Sequence, residues 1–234
     1  METILDELNS KFETLSTGST TGSTTENTTE NTTPKKIIDT EYFKKLINSN
    51  KYVINCVSNK EKDIHSLSYL IDSKLSQSDC IKLGTGMEKI LSDLIIVNST
   101  NLENIKPKNE KGKKEKDHLF KDENLKIIYY AEIKSNLNLD TEKCKSTSEK
   151  CSLLAKELQE EYPDYKIQMY LIGIRYYTKS LIPKIILDKY SSIKENVLGV
   201  NEYLEQMNIQ YKFETENDYK QILNHLAKQM FESE

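Results

Sequence analysis

The sequence has no tryptophan, one arginine (Arg175) and three histidines among its 234 residues. Lysine, asparagine and isoleucine are abundant instead, a usage typical of an A/T-rich coding genome that carries little information about function. The four cysteines are Cys56, Cys80, Cys144 and Cys151. They form no CxxC pair and no Cys/His spacing of the zinc-binding kind, which argues against a zinc site built on them.

Long apolar runs are missing as well. The run DLIIV is far too short to span a bilayer, and the segment METILDELNSKFETL is acidic and amphipathic, unlike a signal peptide. We therefore expect a soluble cytoplasmic protein with reduced thiols and no membrane partner. The formal net charge of −4 does not favour a nucleic-acid partner, although lysines crowd the stretch from Lys106 to Lys116.

The composition predicts two parts in the chain. Residues 16–34, STGSTTGSTTENTTENTTP, contain nothing that can bury apolar surface and are expected to form a flexible linker. A short amphipathic helix precedes this linker. We therefore expect an N-terminal helix and linker over residues 1–35, and one folded domain over residues 36–234.

Hydrophobic spacing predicts an α/β domain with a mixed sheet flanked by helices. Helical patterns occur at TEYFKKLINS, at DIHSLSYLIDSKL, around Leu83 to Ile95 and near the C-terminus. A β-hairpin is expected from Asp117–Phe120 and Lys126–Lys134, joined by the turn KDEN. The next helix is expected over LDTEKCKSTSEKCSLLAKELQEEYP, with a capping box at Ser146 and Glu149 and an end at Pro163. YKIQMYLIGIRYY predicts a central strand buried on both faces.

The second hairpin strand ends with Glu132 and Lys134, whose side chains must lie on the same side of the strand. Antiparallel pairing brings Asp117 to the same end of the hairpin. Two carboxylates held close together repel each other unless a divalent cation lies between them, and oxygen ligands of this kind suit Mg²⁺. A lysine beside the metal can orient the attacking water and offset charge on a phosphate.

An exposed ion pair on an edge strand is the alternative explanation of Glu132 and Lys134, and such pairs carry no function. The preceding run of Ile127, Ile128, Tyr129, Tyr130 and Ala131 favours burial and hence a site. His118 is expected to point to the face opposite Asp117 and to be a packed histidine.

Asp-x₁₄-Glu-Ile-Lys on a hairpin resembles the signature of the PD-(D/E)xK nuclease superfamily, which implies a restriction-endonuclease-like core. An upstream helix with a glutamate, the hairpin, a helix and a hydrophobic strand follow in the same order, and Glu88 in GTGMEKIL fits the upstream acidic position. For Glu88, a solvated helix position is the alternative. Lys116 stands where the family often has proline. The segments EKDHLF, YYAEIKSNLNLDTEK and YLIGIRYY are most similar to type II restriction endonucleases.

The resemblance implies Mg²⁺-dependent, sequence-specific cleavage of duplex DNA by a homodimer. Asp117, Glu132 and Glu88 would hold the metal, and Lys134 would position the water. Expected phosphate contacts are Lys111, Lys113, Lys114, Lys116, Lys143, Lys145 and Lys150. Asn136 and Asn138 fit either an adenine contact or ordinary turn chemistry. A structure-specific repair or recombination nuclease and a non-catalytic DNA-binding or interaction module remain the alternatives.

Overall fold

The fold is described from a computed structural model. It describes residues 35–36, 43–45, 47, 77–107, 115–213, 218, 221–222, 225–226 and 229. The predicted N-terminal helix, the linker of residues 16–34 and the predicted helix DIHSLSYLIDSKL lie outside these residues. Those expectations, and the division of the chain near residue 35, stay predictions.

The described chain is an α/β fold with a five-stranded mixed sheet. Its helices are α1 (Gln77–Val97), α2 (Thr141–Glu161), α3 (Lys184–Asp188) and α4 (Val200–Gln206). Its strands are β1 (Lys35–Lys36), β2 (Leu102–Asn104), β3 (His118–Asp122), β4 (Ile127–Lys134), β5 (Lys166–Gly173), β6 (Val197–Leu198) and β7 (Tyr211–Lys212). Two 3₁₀ helices, Lys179–Leu181 and Ser191–Asn196, lie between β5 and β6.

The main sheet has the strand order β2-β3-β4-β5-β6, and β1 pairs with β7 in a separate parallel ribbon. Strands β2, β3 and β4 are antiparallel, whereas β5 and β6 run parallel to β4. The change from antiparallel to parallel pairing requires a crossover between β4 and β5, and α2 provides it. The predicted hairpin is confirmed. The predicted central strand is present as β5, between β4 and β6, but it ends at Gly173 and only residues 170–173 are buried.

Helices α1 and α2 cover opposite faces of the sheet, as the alternation of side chains along β4 demonstrates. On one face, Tyr129, Ala131 and Ile133 pack in the same cluster as the apolar side of α1, formed by Met87, Ile90, Leu91, Leu94 and Ile95. On the other face, Ile128 and Tyr130 pack with Leu154 and Leu158 of α2. The end of β4 is therefore enclosed from both sides, and this enclosure positions the candidate site.

The hairpin turn covers residues 123–126, two residues later than the predicted KDEN segment, residues 121–124. Asp122 is buried, and its Oδ1 accepts hydrogen bonds from the backbone N–H groups of Asn124 and Leu125, both at 2.9 Å. Lys126 has a φ of 54°, the left-handed conformation that closes the turn. The register that follows pairs Asp122 with Ile127 and His118 with Ala131.

Two sequence expectations about helix ends need correction. The capping box predicted at Ser146 and Glu149 is wrong, because α2 already begins at Thr141. Asp140 is its N-cap, and the Asp140 Oδ1 accepts a hydrogen bond of 2.8 Å from the Lys143 N–H. Helix α1 begins at Gln77 and continues through Gly84, earlier than the apolar spacing indicated.

The remaining helical predictions agree with the structure where residues are described. Residues 43–45 and 47 are helical, and Phe43 is buried. Residues 218, 221, 222, 225, 226 and 229 are also helical, with Ile222 and Leu226 buried as the predicted apolar side requires.

Candidate active site

Asp117 lies at the open end of the hairpin, directly before β3. The last register pair is His118 with Ala131, so Asp117 is placed next to Glu132 one position further along. The Asp117 Oδ2 accepts a hydrogen bond of 2.7 Å from the backbone N–H of Ile133. This bond fixes the Asp117 carboxylate against the end of β4, where the sequence placed it.

Glu132 and Lys134 extend from the same face of β4, as the strand alternation predicted. The Lys134 Nζ lies 2.6 Å from the Glu132 Oε1. Glu132 is only 2% exposed, whereas the Lys134 side chain is 30% exposed. The pair is therefore not an exposed edge-strand ion pair: the carboxylate is buried and the ammonium reaches solvent.

A third member of this cluster comes from α2. The Lys150 Nζ lies 2.6 Å from the Glu132 Oε2, so each oxygen of this carboxylate has its own ammonium partner. The sequence motif does not include Lys150, which was expected only as one of several phosphate contacts. Its contact with Glu132 depends on how α2 packs on β4, a tertiary relation that spacing along the chain does not record.

The carboxyl group of Glu88 interacts electrostatically with Asp117 and Lys134 at this end of the sheet. Burial raises the pKa of its carboxyl to about 7, and the charge of Asp117 adds to the rise. The charges of the Lys106 and Lys134 ammonium groups lower the pKa of Glu88 and so oppose this rise. Glu88 is half-buried and lies close enough to Asp117 for their charges to interact, which disfavours the solvated helix position.

Asp117 is held in a half-buried position beside a second carboxylate, that of Glu132. Burial raises the pKa of Asp117, and the neighbouring charge of Glu132 raises it further, while the Ile133 N–H opposes the shift. For Lys134, burial lowers the pKa, but the charges of Glu132, Asp117 and Glu88 outweigh burial and the pKa is raised. A cation bound at this point would relieve the repulsion between the carboxylates.

The carboxylate oxygens of Asp117 and Glu132 suit Mg²⁺, but they do not form a complete set of protein ligands. Within the described ranges, no three His, Cys, Asp or Glu side chains form a cluster suited to a metal. Mg²⁺ commonly binds through one or two carboxylates and completes its shell with waters and substrate phosphate oxygens. The Asp117 Oδ1 has no hydrogen bond to another described residue, and each Glu132 oxygen keeps a second lone pair beside its lysine contact.

His118 is a buried structural histidine, as predicted. Its Nε2 lies 2.9 Å from the Glu88 backbone oxygen and its Nδ1 lies 3.1 Å from the Tyr203 hydroxyl. Burial lowers its pKa to about 4, so the ring is neutral at physiological pH. The histidine thus joins α1 and α4 to β3 behind the carboxylates.

The residues expected at DNA are only partly described. The Asn136 Oδ1 accepts a hydrogen bond of 2.9 Å from the Asn138 N–H, and the Asn138 Oδ1 accepts one from the Lys189 ammonium. Both asparagine side chains therefore form hydrogen bonds that stabilise the loop after β4. Lys143 pairs with Asp140 at 2.9 Å, and Lys145 lies 3.9 Å from Glu149. Lys116 is half-buried, and Lys111, Lys113 and Lys114 lie outside the described residues. Contacts of all these residues with DNA stay predictions.

Comparisons with known proteins assign no family to this arrangement. The chain matches no protein-family model, no curated protein and no solved structure. In the part of the chain that the structure describes, no helix has the length and apolar character to cross a bilayer. The evidence about function therefore comes from the geometry and charges of the site.

Proposed function

We propose that this protein is a Mg²⁺-dependent, sequence-specific DNA endonuclease of the PD-(D/E)xK type. The observation that carries the proposal is the cluster at the end of the hairpin. Buried Glu132 contacts the Lys134 ammonium at 2.6 Å, and burial together with the Glu132 charge raises the pKa of adjacent Asp117. Pairs of titratable groups with perturbed pKa values in one cluster favour a functional site over an incidental ion pair.

In this proposal, Asp117 and Glu132 would hold the metal, and Glu88 would support that metal or a second one. When bound, Mg²⁺ would supply Lewis-acid polarisation of the phosphodiester and would favour ionisation of the water. Lys134 donates hydrogen bonds to the attacking water and to a non-bridging phosphate oxygen. The water oxygen forms a bond to phosphorus and releases a proton to the solvent, while one ester P–O bond breaks and the leaving oxygen takes up a proton from the solvent. Lys134 thereby stabilises charge that develops only in the transition state.

The order of elements also supports the proposal. Helix α1 with Glu88, the antiparallel strands β2 to β4, helix α2 and the parallel strand β5 follow one another along the chain. The resemblance to PD-(D/E)xK nucleases implies this order, with the acidic residues and the lysine on the central hairpin.

A plasmid assay tests the proposal and separates it from its alternatives. Supercoiled and relaxed plasmids, a branched duplex and a flap substrate are incubated with the protein in Mg²⁺ or in EDTA. Discrete plasmid fragments that require Mg²⁺ are the expected result. Cleavage confined to the branched or flap substrate would instead indicate a repair or recombination nuclease.

The variant Lys134→Ala tests whether DNA cleavage depends on this site. General acid–base and electrostatic contributions of one residue are worth about 10²- to 10⁴-fold, so this loss of rate is expected while DNA binding persists. Lys126→Ala is the matched control, because Lys126 lies at the opposite end of β4, beside the turn, and is 54% exposed. Full cleavage by Lys134→Ala would refute the assignment.

A non-catalytic DNA-binding or interaction module is the second candidate. The observation that favours it is that both Glu132 oxygens already contact lysines, as in a self-contained buried ion cluster. This candidate predicts DNA binding in Mg²⁺ and in EDTA without cleavage in either.

The proposed DNA complex is a homodimer on a two-fold symmetric duplex site, because a symmetric site presents the same surface to each protomer. The lysine-rich stretch from Lys106 to Lys116 and the first turns of α2 are the proposed phosphate contacts. Sedimentation with and without a duplex that the enzyme cuts tests the stoichiometry, and a single protomer bound per site would contradict it.

A further inference from the structure

Two ammonium groups converge on one buried carboxylate in this protein. Lys134 contacts Oε1 of Glu132 and Lys150 contacts Oε2, both at 2.6 Å. The two lysines come from different elements, β4 and α2. One ammonium is sufficient to balance the charge of one carboxylate, so the second requires a separate explanation.

The exposed fractions show what each group can do. Glu132 is 2% exposed and cannot turn to water, whereas the side chains of Lys134 and Lys150 are 30% and 26% exposed. A buried carboxylate that loses its partner carries an uncompensated charge, which is strongly unfavourable. Glu132 therefore needs a cationic partner at all times, and in the metal-free protein that partner is a lysine.

This requirement conflicts with the proposed role of Lys134. To contact the attacking water and the phosphate, Lys134 has to turn its ammonium away from the Glu132 Oε1. If Lys134 were the sole lysine partner, that movement would leave the bound metal as the only cation beside the buried carboxylate, and no protein donor would hold the orientation of Glu132. With Lys150 on Oε2, the carboxylate remains paired and keeps its orientation.

Helix α2 is well suited to hold Lys150 in place. Its N-terminus is capped by Asp140, and Cys144, Cys151 and Leu154 are buried on the side that packs against the sheet. Lys150 precedes Cys151 and lies at the edge of this buried side. Its ammonium is therefore positioned by the packing of α2 and not by the hairpin that carries Lys134.

We propose that Lys150 is a positioning residue that holds the Glu132 Oε2 so that Lys134 can turn from Oε1 to the reacting phosphate. The proposal rests on the proposed nuclease function. The Lys150 charge also acts on Asp117, so its influence reaches both hairpin carboxylates. Lys150 acts through Glu132 and does not contact the substrate.

The test compares four variants with the wild type: Lys150→Met, Lys150→Arg, Lys134→Met and the double variant. Methionine keeps much of the length of lysine without its charge, and arginine keeps a cation that can bind a carboxylate. Lys156→Met is the control, because Lys156 is exposed on the same helix, about 9 Å further along at ~1.5 Å per residue. The single-turnover rate in Mg²⁺, the dissociation constant for DNA in EDTA and the urea midpoint are measured for each protein.

We expect Lys150→Met to lower the single-turnover rate about 100-fold while DNA affinity stays within about twofold. Lys150→Arg should recover the rate to within about tenfold of the wild type. In the Lys134→Met background, Lys150→Met should cost less than about threefold, because residues that act through one another are not additive. Lys156→Met should leave the rate and the affinity unchanged.

Three results would overturn the inference: an unchanged rate in Lys150→Met, a loss of DNA affinity in place of rate, or fully additive effects of the two lysines. The second result would make Lys150 a direct phosphate contact. If Lys150→Met does not fold, Lys150→Gln, which keeps a hydrogen-bond donor for Glu132, is expected to fold and to cut slowly; wild-type cleavage by it would equally overturn the inference. Absence of cleavage by the wild type would overturn the nuclease proposal and this inference together, whereas cleavage by the wild type and Lys150→Met alike would overturn the inference alone.

Discussion

Replacing Glu88 by glutamine is expected to stabilise the protein at neutral and alkaline pH. Glutamine has nearly the same shape as glutamate but carries no charge, so the variant removes the repulsion between Glu88 and Asp117 and the cost of burying the Glu88 charge. A gain of stability from deleting a charged group is expected where charges are held together for binding and not for folding. The prediction therefore tests the electrostatic character of the site without any assay of activity.

The magnitude follows from the raised pKa of Glu88. A rise from 4.5 to about 7 corresponds to ~3 kcal/mol at ~1.4 kcal/mol per pH unit. Since Glu88 is only half-buried and water screens part of the charge, we expect about 2–3 kcal/mol. In a chain of this size, that corresponds to roughly 4–12 °C in the melting temperature.

The direction in which stability changes with pH follows from the linkage between proton binding and folding. The pKa of Glu88 is higher in the folded protein, so the folded state binds the proton more tightly than the unfolded state. The contribution of Glu88 to stability is therefore present below pH 4.5 and is lost as the pH rises through about 7. The stability gained by Glu88→Gln should be below about 1 kcal/mol at pH 5 and reach its full value above pH 7.

His118 makes it necessary to compare the variant with the wild type at each pH. Its pKa is lowered to about 4, so its contribution is present above pH 6.5 and is lost as the pH falls through about 4. This trend opposes that of Glu88 over the same range. The difference between the two proteins isolates Glu88, because His118 contacts the backbone oxygen of Glu88 and not its carboxyl group.

Urea unfolding without metal, from pH 5 to pH 9, measures this difference. Glu157→Gln, at an exposed position of α2, is the control and should give a small difference that does not depend on pH. A Glu88→Gln protein that is less stable than the wild type at pH 8.5 would refute the reasoning, as would a gain that is the same at every pH.

Three further variants test other parts of the account. Asp117→Asn should stabilise the metal-free protein, because burial and the Glu132 charge raise the pKa of Asp117, and it should abolish stabilisation by Mg²⁺; thermal unfolding with and without Mg²⁺ measures both, and unchanged stabilisation by the metal would contradict the ligand assignment. His118→Phe should destabilise by about 1–3 kcal/mol, since the Glu88 carbonyl and the Tyr203 hydroxyl lose their partner; a urea midpoint equal to that of the wild type would count against it. Gly199→Ala should destabilise by about 1–3 kcal/mol, because its Cβ would lie 2.6 Å from the Thr178 backbone nitrogen; equal stability in urea would show that the backbone there moves freely.

Local patterns along the chain were sufficient to predict the hairpin and the arrangement at its end. The period of two along β4 placed Glu132 and Lys134 on one side, and antiparallel pairing brought Asp117 to the same end. The turn was predicted two residues too early, because the hydrogen bonds that the Asn124 and Leu125 N–H groups donate to Asp122 fix where it closes.

Relations between elements could not be predicted in the same way. The contact of Lys150 with Glu132 joins a helix to a strand 18 residues earlier, and it depends on the depth at which α2 packs on the sheet. The helix itself was predicted, but its cap was assigned wrongly: Asp140 is the N-cap, and the Ser146 pattern, which resembles a capping box, lies inside α2. Pairing of short strands such as β6 with β5 likewise has no periodic signal in two residues.

The central claim is that Asp117, Glu132 and Lys134 form one metal-dependent phosphodiesterase site. Its most direct test is the single-turnover cleavage of a plasmid by the wild type, Asp117→Asn and Lys134→Ala, each in Mg²⁺ and in EDTA. We expect the wild type to give discrete fragments in Mg²⁺ only. The single-turnover cleavage rates of both variants should be at least about 100-fold lower than that of the wild type. Cleavage that persists in EDTA, or that either variant performs at the rate of the wild type, would contradict it.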